Sequence, residues 1–124
     1  MIKLFEKFSD INEVKEIIFL YAVETYETEI IDFFIKKGYD INTDEALYKA
    51  SYDSDTFKYM LENGADIEKL SKYRIRDLDV QKTLIDYGHE YYIYKNIGFH
   101  PSLQHDSKYA DVVQRFKDME KYNI

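Results

Sequence analysis

The side chains best equipped for chemistry in this chain are three histidines and a surplus of carboxylates. His100 and His105 flank Pro101 with Asp106 adjacent, and His89 is followed by Glu90. A zinc site needs ligands converging from a fixed spacing, such as the paired histidines of His-Glu-x-x-His, and no such motif occurs. These histidines therefore read as turn and surface residues, and no metal ligand is assigned. The absence of cysteine excludes a disulfide, a thiolate site and a cysteine nucleophile. There is no Gly-x-Ser-x-Gly, no phosphate-cradling glycine loop and no dinucleotide fingerprint. Acid pairs arise by chance among 24 Asp and Glu, and catalysis by such pairs needs a desolvated pocket to tune them. The expectation is a protein that is not an enzyme and takes no cofactor.

What these polar residues can do is recognise. Against the 24 acids stand 17 Lys and Arg, giving a net charge of -7. That balance disfavours nucleic acid or an anionic membrane as a direct partner and suits a protein with a basic surface. It also keeps a small chain soluble. Thirteen tyrosines and no tryptophan supply large amphipathic contacts. Ile, Lys, Tyr and Asp are heavily used, and the first three have A/T-rich codons, a pattern that phages, large viruses and some bacteria share.

Positioning these residues requires regular elements, and the glycines mark where they stop. Phe34, Met60 and Leu84 lie four residues before Gly38, Gly64 and Gly88, and Ile35, Leu61 and Ile85 lie three before. Ile30 and Ile31, Phe57 and Val80 stand a further turn back, completing an apolar helical stripe. A glycine straight after such a stripe is the left-handed stop of a helix. Ile41, Ile67 and Tyr91 follow three residues past each glycine and are expected to seal the unit ends. A shorter helix precedes each stripe: around Phe19–Val23, over Glu45–Ser51 with Thr43 or Asp44 as N-cap, and over Leu70–Ile75.

Three copies of one phrase result, over residues 17–42, 43–68 and 69–92. Tyr59–Glu68, which runs Tyr-Met-Leu-Glu-Asn-Gly-Ala-Asp-Ile-Glu, resembles the end of an ankyrin helix pair, and Leu47, Ala50 and Ser51 fall on matching positions of the ankyrin first helix. The resemblance covers roughly residues 17–92. It departs from the family in two ways. The units are seven or more residues short of the usual ~33, and residues 42–43 run straight on, leaving no room for the β-hairpin finger. The Thr-Pro-Leu-His tetrapeptide is also absent. The resemblance implies an all-α short solenoid of about three helix-turn-helix pairs that binds a partner without catalysis.

A single domain is expected, with an N-terminal cap over 1–16 and a C-terminal capping region over 93–124. Asp10 and Glu13 suit a capping-box start. Gly98–Ser102 breaks the chain, and Asp106 or Ser107 then opens a capping helix carrying Tyr109, Val112, Val113, Phe116 and Met119. Charged residues come too early for a signal peptide and no apolar run spans a membrane, so a cytoplasmic protein is expected.

The candidate partner-binding residues lie at the helix-helix turns and on the third first helix. They are Tyr26, Glu27 and Glu29; Tyr52, Asp53 and Asp55; and Tyr73, Arg74 and Arg76. Stacking would align the turns into an acidic, tyrosine-bearing ridge. Alternatively, acids before a second helix merely favour its N-terminus. Tyr21, Tyr48, Tyr59 and Tyr109 lie at or beside core stripes and are expected to be structural, Tyr39 and Tyr73 to be exposed. Tyr87, Tyr91, Tyr92 and Tyr94 either dock the C-terminal helix or form a patch for a partner or a second copy. A different class of function also fits: a small acidic phage- or viral-type inhibitor that blocks a nucleic-acid-binding host protein by presenting carboxylates in place of phosphates.

Overall fold

The computed structural model describes residues 12–122. Eight α-helices and two short 3-10 helices are present among them, with no strand. No helix of the described residues is long and apolar enough to cross a membrane. The chain divides into two compact units, Met1–Leu70 and Ser71–Ile124. The expected start at Asp10 lies outside the described residues.

In the first unit α1 (Asn12–Thr25) turns into α2 (Thr28–Lys36), and α3 (Asp44–Ala50) into α4 (Ser54–Glu62). α1 packs on α2 and α3, and α3 on α4. The core is formed by the predicted stripes, with Ile31, Phe34, Phe57 and Met60 all buried. Ala22, Ala46 and Ala50 are fully buried, and their small side chains let α1 and α3 approach closely.

Each helix start is held by a side chain where the sequence supplies one. Thr43 Oγ1 accepts from the Ala46 N–H at 3.2 Å, and Asp53 Oδ1 from the Thr56 N–H at 3.0 Å. Each second helix ends in a paired hydrogen bond around its glycine. In the second pair, Ala65 N–H donates to the Met60 carbonyl at 3.0 Å and Gly64 N–H to that of Leu61 at 3.2 Å. Gly64 reaches φ +89° to make this turn, a region costly for any residue with a Cβ. The same pair of bonds recurs around Gly38 and Gly88.

In the second unit α5 (Lys72–Ile75) is one turn, shorter than Leu70–Ile75, because Leu70 is buried in extended backbone and Ser71 takes the N-cap. α6 (Leu78–Asp86) follows, capped by Asp77 on the Val80 N–H at 3.1 Å. Next come α7 (Glu90–Asn96), a 3-10 turn (Pro101–His105) and α8 (Ala110–Lys121). α7 crosses residues 92–93, where the sequence suggests a boundary. It also corrects the expectation for Tyr91, which stands 57% exposed at its start while Ile93 is fully buried. α8 opens at Ala110 with Tyr109 at its N-cap, later than Asp106 or Ser107, because Asp106 Oδ1 instead holds a turn by accepting from the Lys108 N–H. Leu103, Tyr109 and Val113 form a buried cluster against Leu78, Ile85 and Phe99.

Candidate functional site

The first turn is built around Tyr26, the one non-glycine residue with positive φ (+55°) among those described. A left-handed residue with a Cβ stores about 1 kcal/mol or more of strain, so a tyrosine persists there only when its side chain has an attachment. The Tyr26 ring meets the Tyr59 ring edge-on, with centroids 6.2 Å apart. The Tyr59 hydroxyl donates to Asp32 on α2. Tyr26 remains 42% exposed, and Glu27 and Glu29 beside it are exposed. Glu27 occupies the N-cap position of α2 without a side-chain cap bond, so what it offers that helix is its charge near the N-terminus.

The second turn repeats the arrangement at the 26-residue spacing of the repeats: Tyr52, Asp53 and Asp55 correspond to Tyr26, Glu27 and Glu29. Tyr52 is exposed, its hydroxyl 2.9 Å from that of Tyr48 and the two rings edge-on at 5.2 Å. Asp53 is exposed but is also the N-cap of α4, so removing its charge and removing its cap are separable experiments. Asp55 is exposed in the first helical turn.

The residues of the third set belong to the second unit. Tyr73 and Arg76 are exposed. Arg74 is buried, and this corrects its assignment as a surface anchor. It faces inward beside Ile75 on a one-turn helix, and its guanidinium lies 3.9 Å from the Asp77 carboxylate. Three tyrosine expectations also change. Tyr21 and Tyr48 are exposed, because α1 and α3 bury Ala22, Val23, Leu47 and Ala50 instead. Tyr39 is half-buried, its ring 4.8 Å from that of Phe19 and 5.3 Å from that of Phe34.

In the second unit, Tyr94 stacks on Phe116 at 4.8 Å and Phe99 closes on the same ring at 5.5 Å. These rings hold α8 and border a cleft of about 390 Å³ with His100, Gln104 and Glu120 on its rim. His100 Nδ1 accepts from the Ser102 N–H at 3.1 Å, a local cap for the 3-10 turn. No group of three His, Asp or Glu able to hold a metal occurs among the described residues.

Several polar partners have no signal in the sequence pattern. Asp32 receives Tyr59. Asp86 accepts from the Tyr109 hydroxyl at 3.1 Å and from the Lys108 ammonium at 3.2 Å. Gln81, 1% exposed, holds the loop at Gly98–His100. All three are contacts across 17 or more residues, which periodicity cannot reveal.

Burial, followed by the hydrogen bond to Asp32, pushes the Tyr59 hydroxyl up to about 12. The protonated phenol therefore contributes stability that is complete below pH 10 and is lost as pH rises toward 12. Subtracting the alkaline tyrosinate titration of Tyr59→Phe from that of the native protein should leave one transition near pH 12. A difference transition near 10 would show that Tyr59 is neither buried nor bonded to Asp32 in solution.

No family model, no curated protein and no solved structure matches the chain.

Proposed function

We propose that this chain is a non-catalytic interaction module of stacked, fingerless ankyrin-like helix pairs. It binds a partner protein with a basic surface through the tyrosine- and acid-bearing turns of its first unit. The observation that carries the reading is the recurrence, one repeat apart, of an exposed tyrosine followed by two exposed acids: Tyr26, Glu27, Glu29 and Tyr52, Asp53, Asp55.

Ties at corresponding levels of the two pairs support the stacking. Glu24 on α1 pairs with Lys49 on α3, and Asp32 on α2 accepts from Tyr59 on α4. Asn42 Oδ1, after the first glycine, accepts from the Asp66 N–H after the second. First helix thus meets first helix, second meets second, and the closing segments meet each other. Strain at Tyr26 points the same way, since backbone strain collects at functional positions.

The test uses Tyr26→Asn, Tyr52→Ser, Asp53→Asn and Asp55→Asn combined. Asn suits the left-handed backbone at 26 and preserves the cap at 53. Folding stability should hold or rise, while affinity for the partner isolated from the native host falls at least about tenfold. Unchanged affinity would remove these turns from the interface. Raising salt should weaken the native complex only modestly if packed tyrosines dominate. A steep loss with salt, together with competition by nucleic acid, would favour inhibition of a nucleic-acid-binding protein.

A further inference from the structure

We propose that Asn63–Gly64 is a self-modification site, a spontaneous deamidation step that the closing turn of α4 holds shut. Conversion then proceeds only when that end of the second helix pair opens.

The chemistry needs no partner beyond water. In an Asn-Gly step the glycine nitrogen attacks the asparagine Cγ. The proton of the attacking N–H leaves with the side-chain nitrogen as ammonia, and a five-membered succinimide remains. Water then opens that ring at either carbonyl, giving aspartate or its isomer with the main chain routed through Cβ. Glycine favours the step because no side chain shields its nitrogen or restricts its backbone. Asn63–Gly64 is the only Asn-Gly in the sequence, and Lys37 and Tyr87 stand before the equivalent glycines of the other two repeats. Both Asn63 and Gly64 are exposed, so water reaches them and burial does not protect them.

Conformation protects them instead. Ring closure needs Cβ of Asn63 and the nitrogen of Gly64 on the same side of the Asn63 Cα–C bond. At ψ 22° the backbone nitrogen of Asn63 nearly eclipses that of Gly64, which turns Cβ away from it. Both reacting groups are also occupied. The Gly64 N–H donates to the Leu61 carbonyl at 3.2 Å, and Asn63 Nδ2 donates to the Tyr59 carbonyl at 2.8 Å. The Ala65 N–H, bonded to the Met60 carbonyl at 3.0 Å, fixes the turn on its other side. The two bonds of the glycine turn must be released before ψ can rotate, so the reaction passes through a local opening.

Conversion is one-way and weakens the turn that restrained it. Aspartate at 63 cannot donate to Tyr59, and it sets a negative charge against the carbonyl end of α4. The isomer inserts a main-chain atom into the turn and displaces the Gly64 and Ala65 N–H groups from their acceptors. The tie between the two pairs, from the Asp66 N–H to Asn42 Oδ1 at 2.6 Å, begins two residues further on.

The test holds the full chain at neutral pH, folded in buffer and unfolded in guanidinium, and follows acid formation by intact mass and peptide mapping. The unfolded chain should convert at residue 63, and the folded chain at least about tenfold more slowly. Asn63→Gln, which must close a larger ring, should abolish conversion at this position in both states. Asn63→Asp, made directly, should unfold at a lower urea concentration than the native protein. A folded rate equal to or above the unfolded one would overturn the proposal, because the turn would then restrain nothing. No conversion at 63 in the unfolded chain would remove the site. An Asn63→Asp chain as stable as the native one would show that the amide does not hold the turn.

Discussion

Phe34→Ala is expected to lower the free energy of unfolding by about 4 kcal/mol. Phe34 is 1% exposed, and three rings close on it: Phe19 at 5.7 Å, Phe33 at 5.7 Å and Tyr39 at 5.3 Å between centroids. Truncation removes the transfer energy of the ring, leaves a cavity and breaks three edge-on contacts, each worth roughly 0.5–1.5 kcal/mol beyond burial. The neighbours cannot close the gap readily, because Phe34 stands one turn before the Gly38 stop and its own carbonyl accepts the closing bond from the Tyr39 N–H. A loss of this size is a large part of the roughly 5–15 kcal/mol that holds a domain folded. Phe34→Leu keeps much of the volume and should cost only about 1.5 kcal/mol. Urea unfolding of the two variants checks both values, with amide exchange in α1 to α4 as the local readout. A cost under about 1 kcal/mol for alanine would place Phe34 outside the core.

Phe34 also shows what the sequence reveals. Its place relative to Gly38 is shared by Met60 before Gly64 and Leu84 before Gly88, and all three are buried. Helical period and glycine stops depend on local geometry, so they can be read without knowing the partners. They correctly locate α2, α4 and α6, and all three glycines have positive φ.

What periodicity cannot tell is which of two apolar faces wins. Tyr21 and Tyr48 stand beside core stripes in sequence, but the close approach of α1 and α3 is made by alanines, which leaves the tyrosines outside. Arg74 reads as a surface cation by type, yet a single turn of helix beside Ile75 turns it inward. Tyr91 matches Ile41 and Ile67 in position, but a new helix begins at Glu90 and passes the buried place to Ile93. Of the candidate site, the two turns of the first unit were legible in composition. The strain at Tyr26 and the tie from Tyr59 to Asp32 were not, since one is a backbone state and the other a contact across 27 residues.

Gln81 is the strongest case of a hidden role, and its replacement by leucine should cost about 2–3 kcal/mol. On the buried face of α6 its amide serves both ends of one loop. Nε2 donates to the Gly98 carbonyl at 3.0 Å, and Oε1 accepts from the His100 N–H at 2.7 Å. At neutral pH a primary amide of this length offers a donor and an acceptor together at that reach, which an ionised carboxylate cannot. Leucine fills similar space but leaves the carbonyl and the N–H without their partners, while asparagine is too short to reach either. Glutamate separates the two bonds. It still accepts from His100, but its second oxygen faces the Gly98 carbonyl, and burial and that repulsion together favour its protonated form. The protonated acid can donate to Gly98 and restore the pair. Its folded pKa would lie above the ordinary glutamate value, so the stability it contributes is complete below that value and lost as pH rises. The deficit of Gln81→Glu relative to the native protein should therefore shrink as pH falls toward 4, whereas that of Gln81→Leu should stay constant. Thermal unfolding of the three proteins across that range decides it. A pH-independent deficit for glutamate, or a leucine variant as stable as the native chain, would mean that the loop does not depend on Gln81.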